Sequence, residues 1–69
     1  MRIETLTRMS GQIADNCSGL TDEQAVNRIT DHLRAFWTPA MITELAEYDG
    51  EHAGELDPRV STALSQLVV

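Results

Sequence analysis

The side chains that could do chemistry in this chain are few: Cys17, His32, His52, and six carboxylates gathered in residues 44–57. A zinc site draws on Cys, His or carboxylate ligands, and it usually announces itself through close pairs such as C-x-x-C, H-x-x-H or H-E-x-x-H. None of these pairs occurs. Cys17 would have to meet a histidine across the fold, whereas a small buried hydrophobe with an inert thiol is the simpler role for it. His32 stands three residues after Ile29 and one turn before Phe36, at the edge of an apolar stripe. Three roles fit a histidine there: a ring nitrogen satisfied by a carbonyl or water, an interface hydrogen bond, and general acid–base catalysis. His52, in an acidic stretch with glycines, is expected to face solvent.

Glu44, Glu47, Asp49, Glu51, Glu55 and Asp57 do not follow the calcium-loop pattern D-x-[DN]-x-[DN]-G, because Asp49 is followed at once by Gly50. They read as a solvated acidic rim, with a docking patch for a basic partner as the alternative. Ser10, Ser18, Ser61 and Ser65 have no nucleophile-elbow setting, and Gly11 and Gly19 form no phosphate-binding loop. No catalytic constellation emerges. The expectation is a protein that is not an enzyme and holds no cofactor and no metal.

Composition narrows the class further. Five arginines and no lysine oppose eleven acids, for a formal charge of −6, a poor match for nucleic acid or anionic lipid. The charge is uneven: residues 1–43 hold four Arg and five acids, while 44–69 hold one Arg and six acids. No internal disulfide is open to a single cysteine, residues 1–16 carry no apolar run like that of a secretory signal, and no stretch approaches a membrane span. A cytoplasmic protein with no membrane association is expected.

Sixty-nine residues make one domain, 1–69. Folding such a chain hides roughly 6,700 Å², which at about 60% apolar is on the order of 100 kcal/mol of hydrophobic stabilisation. Ordering the chain opposes this with roughly 100 kcal/mol. The balance is thin, as for a fold that is marginal alone or completed by a partner.

The elements that must carry these residues are helical. Ile3, Leu6, Met9 (or Gln12) and Ile13 recur at three- and four-residue steps, predicting a first helix over about 3–16. Gly19 is a plausible left-handed break after it. Thr21-Asp22-Glu23-Gln24 fits a capping box for a second helix over about 22–37, with Leu20 placed to staple against Ala25. Ala25, Val26, Ile29, Leu33, Phe36 and Trp37 mark its buried side, and Arg28 can pair with Asp31 at i,i+3. Pro39 forbids continuation, so Thr38 as cap with Pro39 at the first position opens a third helix over about 39–48, with Met41, Ile42, Leu45 and Tyr48 inward. Residues 49–55 read as an acidic loop turning at Gly50 and Gly54. Asp57-Pro58 repeats the cap-and-proline device for a fourth helix over about 58–67, whose stripe is Val60, Ala63, Leu64, Leu67 and Val68. The fold class is therefore all-α, a small bundle of four short helices.

The only Trp and the only Phe stand together at the Thr38-Pro39 corner. Trp37 is either the largest piece of a small core or part of a surface with Phe36, Pro39 and Met41 beside Arg34. Aromatics, Met and Arg are the types enriched at interface hot spots.

Three stretches, "LTRMSGQIADNC", "ITDHLRAFWTPAM" and "GELDPRVSTALSQL", together span about residues 5–67. In order and spacing the chain resembles the small delta subunit of NAD-dependent, molybdenum- or tungsten-containing formate dehydrogenases. The most specific block is I-x-x-H-L-R-x-F-W-x-P-x-M, on Ile29, His32, Leu33, Arg34, Phe36, Trp37, Pro39 and Met41; L-D-P-x-V-x-x-A-L follows on Leu56, Pro58, Val60, Ala63 and Leu64. One departure is the compact "DNCSGLTDEQA", where family members often carry a longer or alanine-rich stretch. The resemblance implies an accessory protein that ligates no cofactor and supports assembly, maturation or stability of the complex. The alpha subunit would carry the pterin-bound metal and iron–sulfur clusters, and beta and gamma the flavin, further clusters and NAD. Partner contact is expected through Arg34, Trp37 and Met41, with His32 as a hydrogen-bonding neighbour and Phe36 chiefly in the core. The alpha subunit is the foremost partner, beta or gamma the others, and a homodimer with no enzyme partner is the competing reading.

Overall fold

A computed structural model describes residues 2–68, which form four helices and no strand: α1 (Ile3–Asp15), α2 (Asp22–Phe36), α3 (Pro39–Glu51) and α4 (Pro58–Leu67). Each of the last three starts where local chemistry demands it. Thr21 Oγ1 accepts from Gln24 N–H at 3.1 Å while Gln24 Oε1 accepts from Thr21 N–H at 3.2 Å, completing the capping box. Thr38 Oγ1 accepts from Met41 N–H at 3.2 Å, and Asp57 Oδ1 from Arg59 N–H at 2.9 Å, each with proline at the first helical turn.

The helices close around one core. α2 packs most extensively on α4, α3 on α4 and α1, and α1 only lightly on α2. The Cα radius of gyration, 10.8 Å, is that of a fully collapsed chain of this length, about 11 Å. Leu6, Ile29, Leu33, Leu45, Val60 and Leu64 are the largest fully buried apolar side chains apart from Cys17. Turns are made by Gly19 at φ +88° and Gly54 at φ +91°, where a side chain would be strained.

Four expectations need correction. α3 runs past residue 48 to Glu51, so Asp49 and Gly50 are helical and the loop begins at His52. The extra turn closes on its own backbone, with His52 N–H donating to the Tyr48 carbonyl at 2.9 Å, and is gripped from α4, where Ser61 Oγ donates to Asp49 Oδ1 at 2.8 Å. In α1 the fully buried seam is Leu6–Ser10–Ala14, with Ile3, Met9 and Ile13 only partly covered. Ser10 tolerates burial because its hydroxyl donates to the Thr7 carbonyl at 2.9 Å. Val68 caps α4 at 48% exposure instead of joining the stripe. Phe36 is not core: it is 74% exposed.

Candidate functional site

The α2–α3 corner sets Phe36 and Trp37 on opposite sides of the surface. Trp37 N–H still donates to the Leu33 carbonyl at 2.9 Å, but its own backbone turns extended at φ −98°, ψ 145°, because Pro39 denies the next turn. The break swings the Trp37 side chain inward to 6% exposure. What remains of it lines a shallow open groove of about 280 Å³ with Arg34, Pro39, Ile42, Thr43, Leu67 and Val68. Met41 is half-buried against the core one turn into α3.

Phe36 sits in the same sector of the α2 helical wheel as Ala25, Ile29 and His32. Burial along that sector fades toward the C-terminus: Ala25 and Ile29 are sealed, His32 is half-exposed, and Phe36 is open. The His32 and Phe36 rings touch with centroids 4.8 Å apart and a 44° tilt. Both border a second groove, about 400 Å³, between α1 and α2, whose other residues are Ile13, Asn16, Arg28 and Asp31. The ion pair of this face is not Arg28–Asp31 as expected. Arg34 Nη1 approaches Asp31 Oδ1 at 3.8 Å, with the two side chains 65% and 79% exposed, so the pair is worth little. Among the described residues Arg28 has no ion-pair or hydrogen-bonding partner.

The other titratable candidates lie apart. Cys17 is sealed, with its sulfur 3.3 Å from the Ile13 carbonyl oxygen and 4.0 Å from that of Ala25. His52 is exposed and stacks on Tyr48 at 4.3 Å, its Nδ1 3.2 Å from the Tyr48 carbonyl oxygen. The Tyr48 hydroxyl donates to Glu55 Oε2 at 3.1 Å, and that hydrogen bond, with a little burial and the Glu55 charge, raises the phenol above its ordinary pKa. Among the described residues no three His, Cys, Asp or Glu side chains converge as metal ligands, and no helix is long and apolar enough to cross a membrane.

Arg59 does work that its place in the sequence did not signal. Its Nε and Nη2 donate to Asp57 Oδ1 and Oδ2 at 3.0 and 2.8 Å, and Nη2 also donates to the Ala14 carbonyl at 3.3 Å. The guanidinium thus ties the start of α4 to the open carbonyl end of α1, where a cation is favoured by the helix dipole. The same side-chain hydrogen bond, with the Arg59 backbone N–H and charge, holds the Asp57 carboxyl below its ordinary range against a small opposing effect of burial.

Among known protein families, the one described as NADH-dependent formate dehydrogenase delta subunit, FdsD, matches residues 5–64. No curated protein and no solved structure matches the chain.

Proposed function

The chain belongs to the family of NADH-dependent formate dehydrogenase delta subunits, and on that premise we propose that it is a non-catalytic accessory subunit that supports assembly, maturation or stability of the enzyme complex. The observation that carries this reading is the family match over residues 5–64 of a 69-residue chain. The reaction, formate and NAD to carbon dioxide and NADH, would belong to the partner subunits, the alpha subunit being the foremost contact and beta or gamma the others. The complex would work in the cytoplasm.

Geometry supports a binding role over a catalytic one. Cys17 is sealed beside backbone carbonyls at the turn after α1, His52 is stacked on Tyr48 at the end of α3, and His32 faces Phe36 on α2. The α2–α3 corner, by contrast, offers Arg34 in the open beside a groove that Trp37 lines, Met41 half-exposed one turn into α3, and His32 half-exposed on the other side of α2 beside Phe36. Those four residues are the proposed contact set, Trp37 acting chiefly by shaping the corner.

A tagged copy recovered from native extract tests the reading, with mass spectrometry and a formate-dependent NAD-reduction assay on the eluate. Recovery of a large iron–sulfur and pterin subunit with activity supports it. Recovery of the chain alone, with extract activity unchanged when the chain is deleted, promotes the homodimer instead.

A further inference from the structure

Of the four helices, α1 has the least of its own to hold it in place. Among the described residues it is the one helix that starts without a side-chain cap: Arg2 stands where Thr21, Thr38 and Asp57 cap the others. Gly11 lies in its interior with open space where a Cβ would go, so packing does not require a glycine there, and the helix is weaker than it would be with alanine. The Thr7 and Ser10 hydroxyls donate back to the Glu4 and Thr7 carbonyls, both at 2.9 Å, a local competition that makes these residues indifferent helix formers. Burial adds little. Leu6 is the one large apolar side chain that α1 seals fully, and Ser10 and Ala14 complete its seam.

What compensates comes from α4. Arg59 Nη2 donates to the Ala14 carbonyl at 3.3 Å while Nε and Nη2 grip Asp57. The last turn of α1 has no basic residue, so its carbonyl end takes its cation from another helix. Among the described residues this is the one hydrogen bond that ties α1 to another helix. Just beyond it the chain turns through Gly19 at φ +88°, with open space around the glycine, a pivot able to absorb a change of backbone angle. The other large sealed apolar side chains, Ile29, Leu33, Leu45, Val60 and Leu64, all belong to α2, α3 and α4, and α2 packs on α4 more extensively than any other pair.

We propose that α1 is a hinged cover, latched through Arg59, that lifts from α2, α3 and α4 while those three stay folded, exposing Cys17 and the part of the core beneath Leu6. Opening of one element ahead of the rest follows where its buried apolar surface is small and its polar ties are few. Cys17 is a built-in reporter of the movement. Its thiol is fully sealed, with the sulfur 3.3 Å from the Ile13 carbonyl oxygen and 4.0 Å from that of Ala25, at the seam where α1 parts from α2. The movement belongs to the chain alone and is independent of the accessory-subunit role.

The test is native-state hydrogen exchange of the purified chain, read by residue as urea is raised below the unfolding transition, together with the rate at which dithionitrobenzoate labels Cys17. The Met9 and Ser10 amides and the Cys17 thiol should open together with a shallow urea dependence, ahead of the Ile29 and Leu33 amides, which should follow global unfolding. Arg59→Ala should speed the first set about 10-fold or more at low urea, through loss of a hydrogen bond from a charged donor. Gly11→Ala should slow it about 4-fold. Thr38→Ala, which removes the cap of α3, should speed Ile29 and Leu33 and leave the low-urea opening of α1 unchanged. A steep urea dependence shared by both sets, or a Thr38→Ala protein in which both speed up alike, would mean that α1 opens only with the whole fold and would overturn the proposal. Cys17 labelled at low urea with Met9 and Ser10 still protected would reduce the movement to the turn, and wild-type rates in Arg59→Ala would remove the latch; either result also overturns it.

Discussion

Removal of Trp37 should strongly destabilise this protein, while removal of its neighbour Phe36 should hardly be felt by the isolated chain. The indole is 6% exposed and the phenyl 74%. Truncating a buried tryptophan to alanine costs about 3–5 kcal/mol, from lost transfer free energy and the cavity left behind. A domain of this length has a total stability of roughly 3–10 kcal/mol. Trp37→Ala therefore removes about 30% of the stability at the least, and can exhaust it; the melting temperature should fall by about 12 °C or more. Phe36→Ala removes a ring already in water, and its effect should stay within about 0.5 kcal/mol. Far-UV circular dichroism melts of the two variants and wild type read the difference, and the Phe36→Ala protein keeps the tryptophan as a fluorescence reporter of its core. Equal melting temperatures for Trp37→Ala and wild type, or a Phe36→Ala protein as damaged as Trp37→Ala, would refute the assignment of the two rings to inside and outside.

Gly50→Ala tests the added turn of α3: inside a helix with open space around the glycine, the substitution should stabilise by about 0.5–1 kcal/mol in urea unfolding, whereas a loop position needing glycine would show a loss. Gly54→Ala should do the opposite, destabilising by about 1–2 kcal/mol in the same assay, because φ there is +91°. Arg59→Ala should lower the melting temperature by freeing the end of α1 from the start of α4, and Arg59→Lys should not restore the two-pronged contact with Asp57. The pH dependence has a definite sign. The Asp57 carboxyl is held below its ordinary pKa in the folded protein, so this contribution is fully present above about pH 4 and is lost as pH falls through the folded value. Thermal melts of wild type and Arg59→Ala should accordingly converge in acid and separate at neutral pH.

What could be read in the sequence was what depends on near neighbours. The capping box at Thr21, the proline starts after Thr38 and Asp57, and the three-and-four spacing of leucine, isoleucine and valine are local chemistry, and they located four helices. The misreadings concern distant partners. Phe36 shares a helical sector with Ile29, and nothing in α2 itself says how far a covering helix will reach along it. Gly50 looks like a turn until Ser61, far along the chain, grips Asp49 and keeps the helix going. Ser10 lies in the buried seam of α1 because its hydroxyl is satisfied by its own helix, which hydrophobic patterning does not register. The reach of Arg59 to Ala14 spans most of the chain and leaves no pattern in spacing. Of the candidate contact residues, the corner itself was legible from Pro39, but which of its two aromatics would face outward was decided by the backbone turn at Trp37.

The accessory role requires that the catalytic subunits need this chain. The measurement is formate-dependent NADH formation per mole of alpha subunit, with alpha, beta and gamma produced in one host in the presence and in the absence of the chain. The accessory role predicts that activity or intact complex is lost when the chain is left out, and that the purified chain alone reduces no NAD. Equal activity and equal complex recovery in both preparations would contradict it.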